Sequence, residues 1–375
     1  MKKIFMFINV DWFFYSHRLP IANAAKKFNF DMSVFTDLTI RKKGNFNHQF
    51  DLNQSPLKRE SKISIKILNE FLKTYFLIKR NKPDLIHAVT IKPIIVLGLI
   101  SKFTSTPFIA AFSGLGPVFR QEKYFQRMTL KLVIFLLRYI FKNKYSMAIC
   151  QTKHDQEKLV HFGVIKTQQV SLIPGSGVDT DVYTPLKKRE DLGKFVLMSS
   201  RMLLDKGLKE YCAAAKIVKR EFNEDIKFLL SGPVDLTSPT SISRIELDQL
   251  TLDHGVEYLG NRSDMPELLA SAEIFVLPSY YPEGIPKVLI EASSCSTPII
   301  TTNHPGCRDI VVNRETGLLV PIKDSKELAR SILILLNNKK TQAEYGLKGR
   351  KLVKDNFEET RVVNAHFNIY KRLCS

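Results

Sequence analysis

The sequence predicts an α/β chain made of two doubly wound, Rossmann-like domains in tandem. Short apolar runs alternate with helical patterns along its whole length. The alternation is interrupted once, by "LIPGSGVDTDVYTPLKKREDLGK" (172–194), which is rich in Gly, Pro and charge and reads as an interdomain linker. At 375 residues, 44% of them hydrophobic, the chain is long enough for two cores.

Each element follows from its local pattern. "KIFMFINV" (3–10) is a buried first strand. Its apolar run is short, is broken by Asn9 and Asp11, and lacks a small-residue cleavage site, so it is not read as a signal peptide. A helix is expected from about Leu19, then a strand at "DMSVFT" (31–36). "PDLIHAV" (83–89), "PFIAAFS" (107–113) and "SMAICQT" (146–152) are further strands, each followed by a helical stretch. After the linker come "KFVLMSS", "IKFLLSG", "VEYLG", "IFVLPS", "PIITTN" and "GLLVP". Uniformly apolar short strands between helices mean parallel sheets covered on both faces. The expected domains are 1–177 and 178–355, with a terminal helix, 356–375, crossing back to the first. No run of about 20 apolar residues is present, so no transmembrane helix is expected.

Charge and cysteines narrow the function. The net charge of +19 calls for an anionic partner, either nucleotide phosphates, a lipid surface or nucleic acid. The five cysteines form no C-x-x-C pair, which argues against a disulfide framework or zinc site and fits a reducing cytosol. No zinc finger, RNP-like strand or compact basic tail supports nucleic-acid binding.

Ligands of open α/β sheets bind beyond the carboxyl ends of the strands. Three strand-end segments stand out there. In "SSRMLLDKG", Arg201 and Lys206 suit a pyrophosphate, although the same pair would serve as a solvated basic turn. In "LSGP", Gly232 would let a ligand approach the backbone. In "YYPEGIPKVLIEA", Glu283 falls in a loop, Gly284 and Ile285 offer amides, and Pro286 fits the first turn of a helix. Glu291, about two turns on among apolar neighbours, needs a partner, either a sugar or ribose diol or a buried Lys or Arg. Asp179 and Asp181 imitate a metal-binding D-x-D pair but sit in the linker, where they are read as turn caps.

Several motifs, in order along the chain, resemble one family. "EGIPKVLIEA" is similar to the E-x7-E signature of family 4 retaining glycosyltransferases, which have the two-domain GT-B fold with its domains facing across a cleft. "SRMLLDKGLKEYCAAA", "IPGSGVDTDVYTP" and "PGCRDIVVNRETGLLVP" resemble its other C-terminal signatures. "VDWFFYSHRLPIANAA" and "HAVTIKPIIVLGLI" resemble the branch that builds bacterial O-antigens, lipopolysaccharide and capsules.

The resemblance implies that Arg201, Lys206 and Glu283 are catalytic. It implies a donor site of Gly232, Arg262, Glu283, Gly284, Ile285, Pro286, Lys287 and Glu291. Ser16, His17, Arg18, Ser113 and Gly114 would lie on the acceptor side. The chain departs from many relatives in having "NVDWFF" where they carry a glycine pair, and Ser113-Gly114 where they place a histidine. No metal or other cofactor is implied. The expected partners are a UDP-sugar, a lipid-linked oligosaccharide and an anionic membrane surface, with no nucleic acid. The expected location is the cytoplasmic face of the plasma membrane. A nucleotide-sugar epimerase or hydrolase on the same frame is the enzymatic alternative. The basic stretches 122–146 and 64–82 are read as the membrane-binding charge; 122–146 sets Lys123, Arg127, Lys131, Arg138, Lys142 and Lys144 against Glu122. Their apolar positions are read mainly as core.

Overall fold

The structure is a computed structural model and describes residues 1–39, 50–58, 65–119, 124–187, 189–236 and 238–374. The chain divides into two units, residues 1–176 with 360–375, and residues 177–359.

The first unit is built on seven strands: β1 (Lys2–Ile8), β2 (Phe30–Thr36), β3 (Leu52–Gln54), β4 (Leu85–Val89), β5 (Phe108–Phe112), β6 (Ser146–Cys150) and β7 (Val170–Leu172). They are all parallel, in the order β3-β2-β1-β4-β5-β6-β7. Parallel neighbours need crossovers, and helices supply most of them. These are α1 (Asp11–His17), α2 (Leu19–Ala24), α3 (Ile65–Asn81), α4 (Ile91–Thr104), α5 (Tyr124–Phe141) and α6 (Lys153–His161).

Strand β1 shows how the two faces fill. Phe5 and Phe7 join Leu97 of α4, Leu137 of α5 and Leu159 of α6. Ile4, Met6 and Ile8 point the other way, toward Phe14 of α1 and Ile21 of α2. That second face is closed by Phe367 and Tyr370 near the chain's end. Phe367 stacks on Phe28 with centroids 4.2 Å apart.

The second unit has six parallel strands: β8 (Phe195–Ser199), β9 (Lys227–Ser231), β10 (Glu257–Tyr258), β11 (Ile274–Leu277), β12 (Ile299–Thr302) and β13 (Gly317–Val320). Their order is β10-β9-β8-β11-β12-β13. Its helices are α7 (Leu208–Glu221), α8 (Arg244–His254), α9 (Met265–Ser271), α10 (Lys287–Ser294), α11 (Ser325–Leu336) and α12 (Lys339–Asn356); α13 (Glu359–Cys374) then enters the first unit. Buried Tyr211 of α7 donates to a backbone carbonyl at 2.9 Å, with those of Val196 and Leu229 both in reach, which ties the helix to β8 and β9.

Most of the stretch read as a linker is packed. Val178 exchanges backbone hydrogen bonds of 3.0 Å with Phe357 and Glu359. Arg350 holds the carbonyls of Tyr183 and Thr180 at 3.1 and 3.2 Å. The Asp179 carboxylate accepts the N–H of Asp181 at 2.9 Å and of Val182 at 3.2 Å, so it caps a turn. The chain passes between units at 176–177 and again at 359–360.

A buried polar cluster lies under α13. His87 of β4 shares a 2.7 Å hydrogen bond with the Tyr370 hydroxyl, and His366 Nδ1 donates to Val362 O at 2.8 Å. Among the described residues, neither imidazole Nε2 has a partner. Burial and the nearby Arg18 guanidinium lower the basicity of both rings, to about 3 for His366. The fold therefore holds both rings neutral, while an unfolded chain protonates them below about pH 6.5. A depressed folded-state value means that stability is lost as pH falls, by up to about 1.4 kcal/mol per pH unit for each ring. The melting temperature is expected to decline below pH 6.5, and less steeply in His366→Asn. Equal slopes for the two proteins between pH 6.5 and 4 would contradict this.

Candidate active site

In the second unit the chain stays paired past the strand ends. Ser200 N–H donates to Ser231 O at 3.0 Å and Met202 N–H to Pro233 O at 2.9 Å. This lays the loop after β8 along the loop after β9. Gly232 sits between them with φ +131°, where a Cβ would lie 1.8 Å from Ser200 O. The group that excludes a side chain there is the protein's own carbonyl, so the glycine has a reason independent of a ligand.

The β8 loop closes in a single 3-10 turn, Leu204–Lys206, ahead of α7. The loop after β11 is stitched to it by Tyr280 N–H donating to Asp205 O at 2.9 Å. Thr301 and Thr302 of β12 brace that loop from below through the carbonyls of Leu277 and Ser279. The result is an ion pair between Lys206 Nζ and Glu283 Oε1, residues 77 positions apart in the chain. The Lys206 side chain is only 7% exposed. Both cations gather on one ring: Lys206 Nζ lies 5.1 Å and the Arg201 guanidinium 5.8 Å from the Tyr281 centroid. Arg201 is also paired with Asp235 at 2.9 Å.

The structure thus brings together Arg201, Lys206 and Glu283, and adds Tyr281 and Asp235, which the sequence reading had not singled out. Tyr281 lies inside the quoted motif. Asp235 follows the strand-end "SGP", and an acid at that point was the available signal.

Glu283 leads through Gly284, Ile285 and Pro286 into α10. Pro286 occupies the position before the helix rather than its first turn, with φ −62° and ψ 121°. Gly306 packs against this loop at φ +88°, and a Cβ there would lie 2.3 Å from Gly284 O. Glu291 lies one turn into α10, and Lys287 is its ion-pair partner at 3.2 Å. Burial and that carboxylate push the Tyr183 phenol well above its usual range. Arg262 grips both oxygens of Asp264, which Arg189 holds as well. Burial first, then the Glu283 carboxylate, pushes the Cys307 thiol up to about 11, so it stays protonated and is no nucleophile.

In the first unit, residues 11–17 are helical where a loop was expected. Ser16 Oγ and His17 Nδ1 share a 2.5 Å hydrogen bond, and the His17 ring stacks on Phe13 at 4.2 Å. Arg18 turns inward and is 2% exposed. It donates to His17 O at 3.0 Å and to Ser113 Oγ at 3.5 Å, which joins the two acceptor-side segments, while its Nε has no partner among the described residues. Burial lowers the guanidinium to about 10. Gly114, next to Ser113, has φ +88°.

Two cations over an aromatic ring at strand ends, beside one carboxylate, can neutralise a diphosphate and orient a hydroxylated ring next to it. The family model described as "Glycosyl transferase 4-like" matches residues 3–152, and "Glycosyl transferases group 1" matches residues 185–352. An N,N'-diacetylbacillosaminyl-diphospho-undecaprenol alpha-1,3-N-acetylgalactosaminyltransferase of Campylobacter jejuni is 28% identical over 73% of both chains. A UDP-Gal:alpha-D-GlcNAc-diphosphoundecaprenol alpha-1,3-galactosyltransferase of Escherichia coli is 26% identical over 73% of this chain and 72% of its own. Among solved structures, Anabaena Alr3699/HepE in complex with UDP and glucose superposes with a TM-score of 0.80 at 19% identity, covering 99% of this chain and all of that one. At that identity the match speaks for the fold.

Proposed function

The chain belongs to the glycosyltransferases, with a glycosyl transferase 4-like domain followed by a group 1 domain, and from that premise we propose that it moves a hexose or N-acetylhexosamine from UDP to a hydroxyl of a lipid-linked glycan, with retention of configuration. The observation that carries this is the meeting of Arg201 and Lys206 over Tyr281, with Glu283 ion-paired to the lysine. Charge builds on the diphosphate as the C1–O bond to phosphate breaks, and the two cations stabilise it there. The acceptor oxygen forms the new bond to C1 and its proton passes to the departing diphosphate. Glu283 holds donor-sugar hydroxyls, and Glu291 with Lys287 serves the ribose. The cations do the work of a divalent metal, and none is required.

A diphospho-undecaprenol acceptor is supported by the names of both bacterial relatives, and UDP by that of the Escherichia coli one. An epimerase, a hydrolase or a nucleic-acid-binding protein finds no such support. An acceptor of that kind is a membrane lipid. The enzyme is therefore placed at the inner face of the plasma membrane in surface-polysaccharide synthesis, held peripherally by its basic first unit.

The experiment is a panel of UDP-sugars offered with an undecaprenyl-diphosphate-linked sugar. Release of UDP, formation of a longer lipid-linked glycan with the donor's anomeric configuration, and an unchanged rate in EDTA are expected. No UDP release from any donor, or UDP release without a glycan product, would refute the reading.

A further inference from the structure

Helices α3, α4 and α5 each carry apolar side chains on two faces. The inner rows are core: Leu130, Val133 and Leu137 of α5 are buried against the sheet. The outer rows are not. Leu68, Leu72 and Phe76 recur at fourth positions along α3 and are exposed, Phe76 by 61%. Met128, Leu132 and Phe135 follow one another by four and then three positions on α5 and are exposed too, Phe135 by 66%. Sequence reading had taken these α5 positions mainly as core.

Between the two lies α4, whose outward positions Ile95 and Leu99 are half-buried and whose Phe103 is 65% exposed. The three rows are continuous. Phe71 of α3 meets Phe103 edge-on at 6.5 Å, and the Lys102 ammonium of α4 sits 4.8 Å over the Tyr139 ring of α5. An apolar face of this breadth is rare on a surface that meets only water.

Charge decides what covers it. The three helices hold nine Lys and Arg and a single acid, Glu70, which is already paired with Lys92 at 3.0 Å. A second copy of the same face would set cations against cations with no acids to match them. A bilayer of anionic lipids offers phosphates at the depth of the lysines and hydrocarbon beneath. Among the described residues no helix is long and apolar enough to cross a membrane, so the contact lies on the surface.

We propose that the outer face of α3, α4 and α5 docks on an anionic lipid bilayer, with Phe76, Leu132 and Phe135 inserted below the headgroups. This deepens the reading above, on which it rests only for why a bilayer is present; here the attachment is apolar as well as ionic.

The full chain is sedimented, without donor or acceptor, with phosphatidylglycerol-containing and with pure phosphatidylcholine vesicles at low and high salt. Wild type is expected to bind the anionic vesicles and to keep part of that binding in high salt. Leu132→Ser/Phe135→Ser should lower the salt-resistant part about tenfold or more, as burying two large side chains implies. Lys73→Gln/Lys131→Gln should lower only the salt-sensitive part. All four positions are exposed, so the inner rows stay intact, and unchanged melting temperatures check this. Binding that is unaltered in Leu132→Ser/Phe135→Ser, or that vanishes entirely with salt in the wild type, overturns the proposal. So does a lipid-free dimer in analytical ultracentrifugation that the same double substitution disperses. Transfer is assayed separately in detergent, so a chain that binds vesicles but transfers no sugar would refute the proposed function and leave this inference standing.

Discussion

Lys206→Ala is expected to lower turnover by about 100-fold or more, the usual consequence of removing one transition-state donor. The side chain is almost wholly buried and ends on Glu283. A purely structural account is therefore available, in which the lysine only neutralises a half-buried carboxylate. The two accounts separate in a double substitution. If the lysine exists for Glu283 alone, Lys206→Ala/Glu283→Gln removes both the charge and its partner and should turn over no more slowly than Glu283→Gln alone. If Lys206 stabilises the departing diphosphate, the double variant stays about 100-fold slower than Glu283→Gln alone, because neutral Gln supplies no positive charge. The second outcome is expected. Glu283 is about one-fifth exposed, so water can solvate it when the lysine is gone and the melting temperature should fall only modestly. Rates of UDP release and thermal melts on the two singles and the double decide it. Near-normal turnover of Lys206→Ala, or a double variant as fast as Glu283→Gln alone, would remove the lysine from the reaction.

In the first unit, the strands legible in the sequence were those whose neighbours lie on both sides. β1, β4, β5 and β6 read as mainly apolar runs because each is covered on both faces. The edge strands β3 and β7 are three residues long, partly exposed and polar at Asn53, Gln54 and Ser171, so no run announces them. Helix α1 hid in "DWFFYSH", seven residues between the first strand and the helix expected from Leu19, too short for a helical period to show.

For the site, the motif gave residue types but not contacts. Nothing in the sequence pairs Lys206 with Glu283 across 77 positions, because the pairing comes from adjacency of the β8 and β11 strand ends. Arg18 was placed on the acceptor side only by resemblance, and nothing in the sequence showed that it turns inward toward Ser113. Periodicity found the apolar rows of α5 but could not say which row faces the sheet. That depends on how the helix rolls against α4, where Ile140 packs so close to Gly98 that a Cβ there would collide with it.

Gly232→Ala is expected to be the most damaging single-methyl change in the second unit. Two costs add. A non-glycine residue at φ +131° is strained by about 1–3 kcal/mol wherever it stands. Here the new Cβ would also lie 1.8 Å from Ser200 O, a contact that no side-chain rotation relieves, because both atoms are fixed to backbone. Relief requires parting the two loops, which breaks the Ser200 N–H to Ser231 O bond and the 2.8 Å bond from Gly232 N–H to Gly260 O. Losing buried backbone hydrogen bonds adds about 1–3 kcal/mol each, so a total above about 4 kcal/mol is expected, enough to unfold a marginal domain. Gly306→Ala makes the useful contrast. Its Cβ meets Gly284 O at 2.3 Å, also a backbone atom, but one in a loop that can give way. That variant should melt within a few degrees of wild type and lose turnover, because the segment that shifts carries Glu283. Circular dichroism melts and UDP-release rates on both proteins test the pair. A well-folded Gly232→Ala protein with a wild-type melting temperature would show that the two strand-end loops are not held as closely as described.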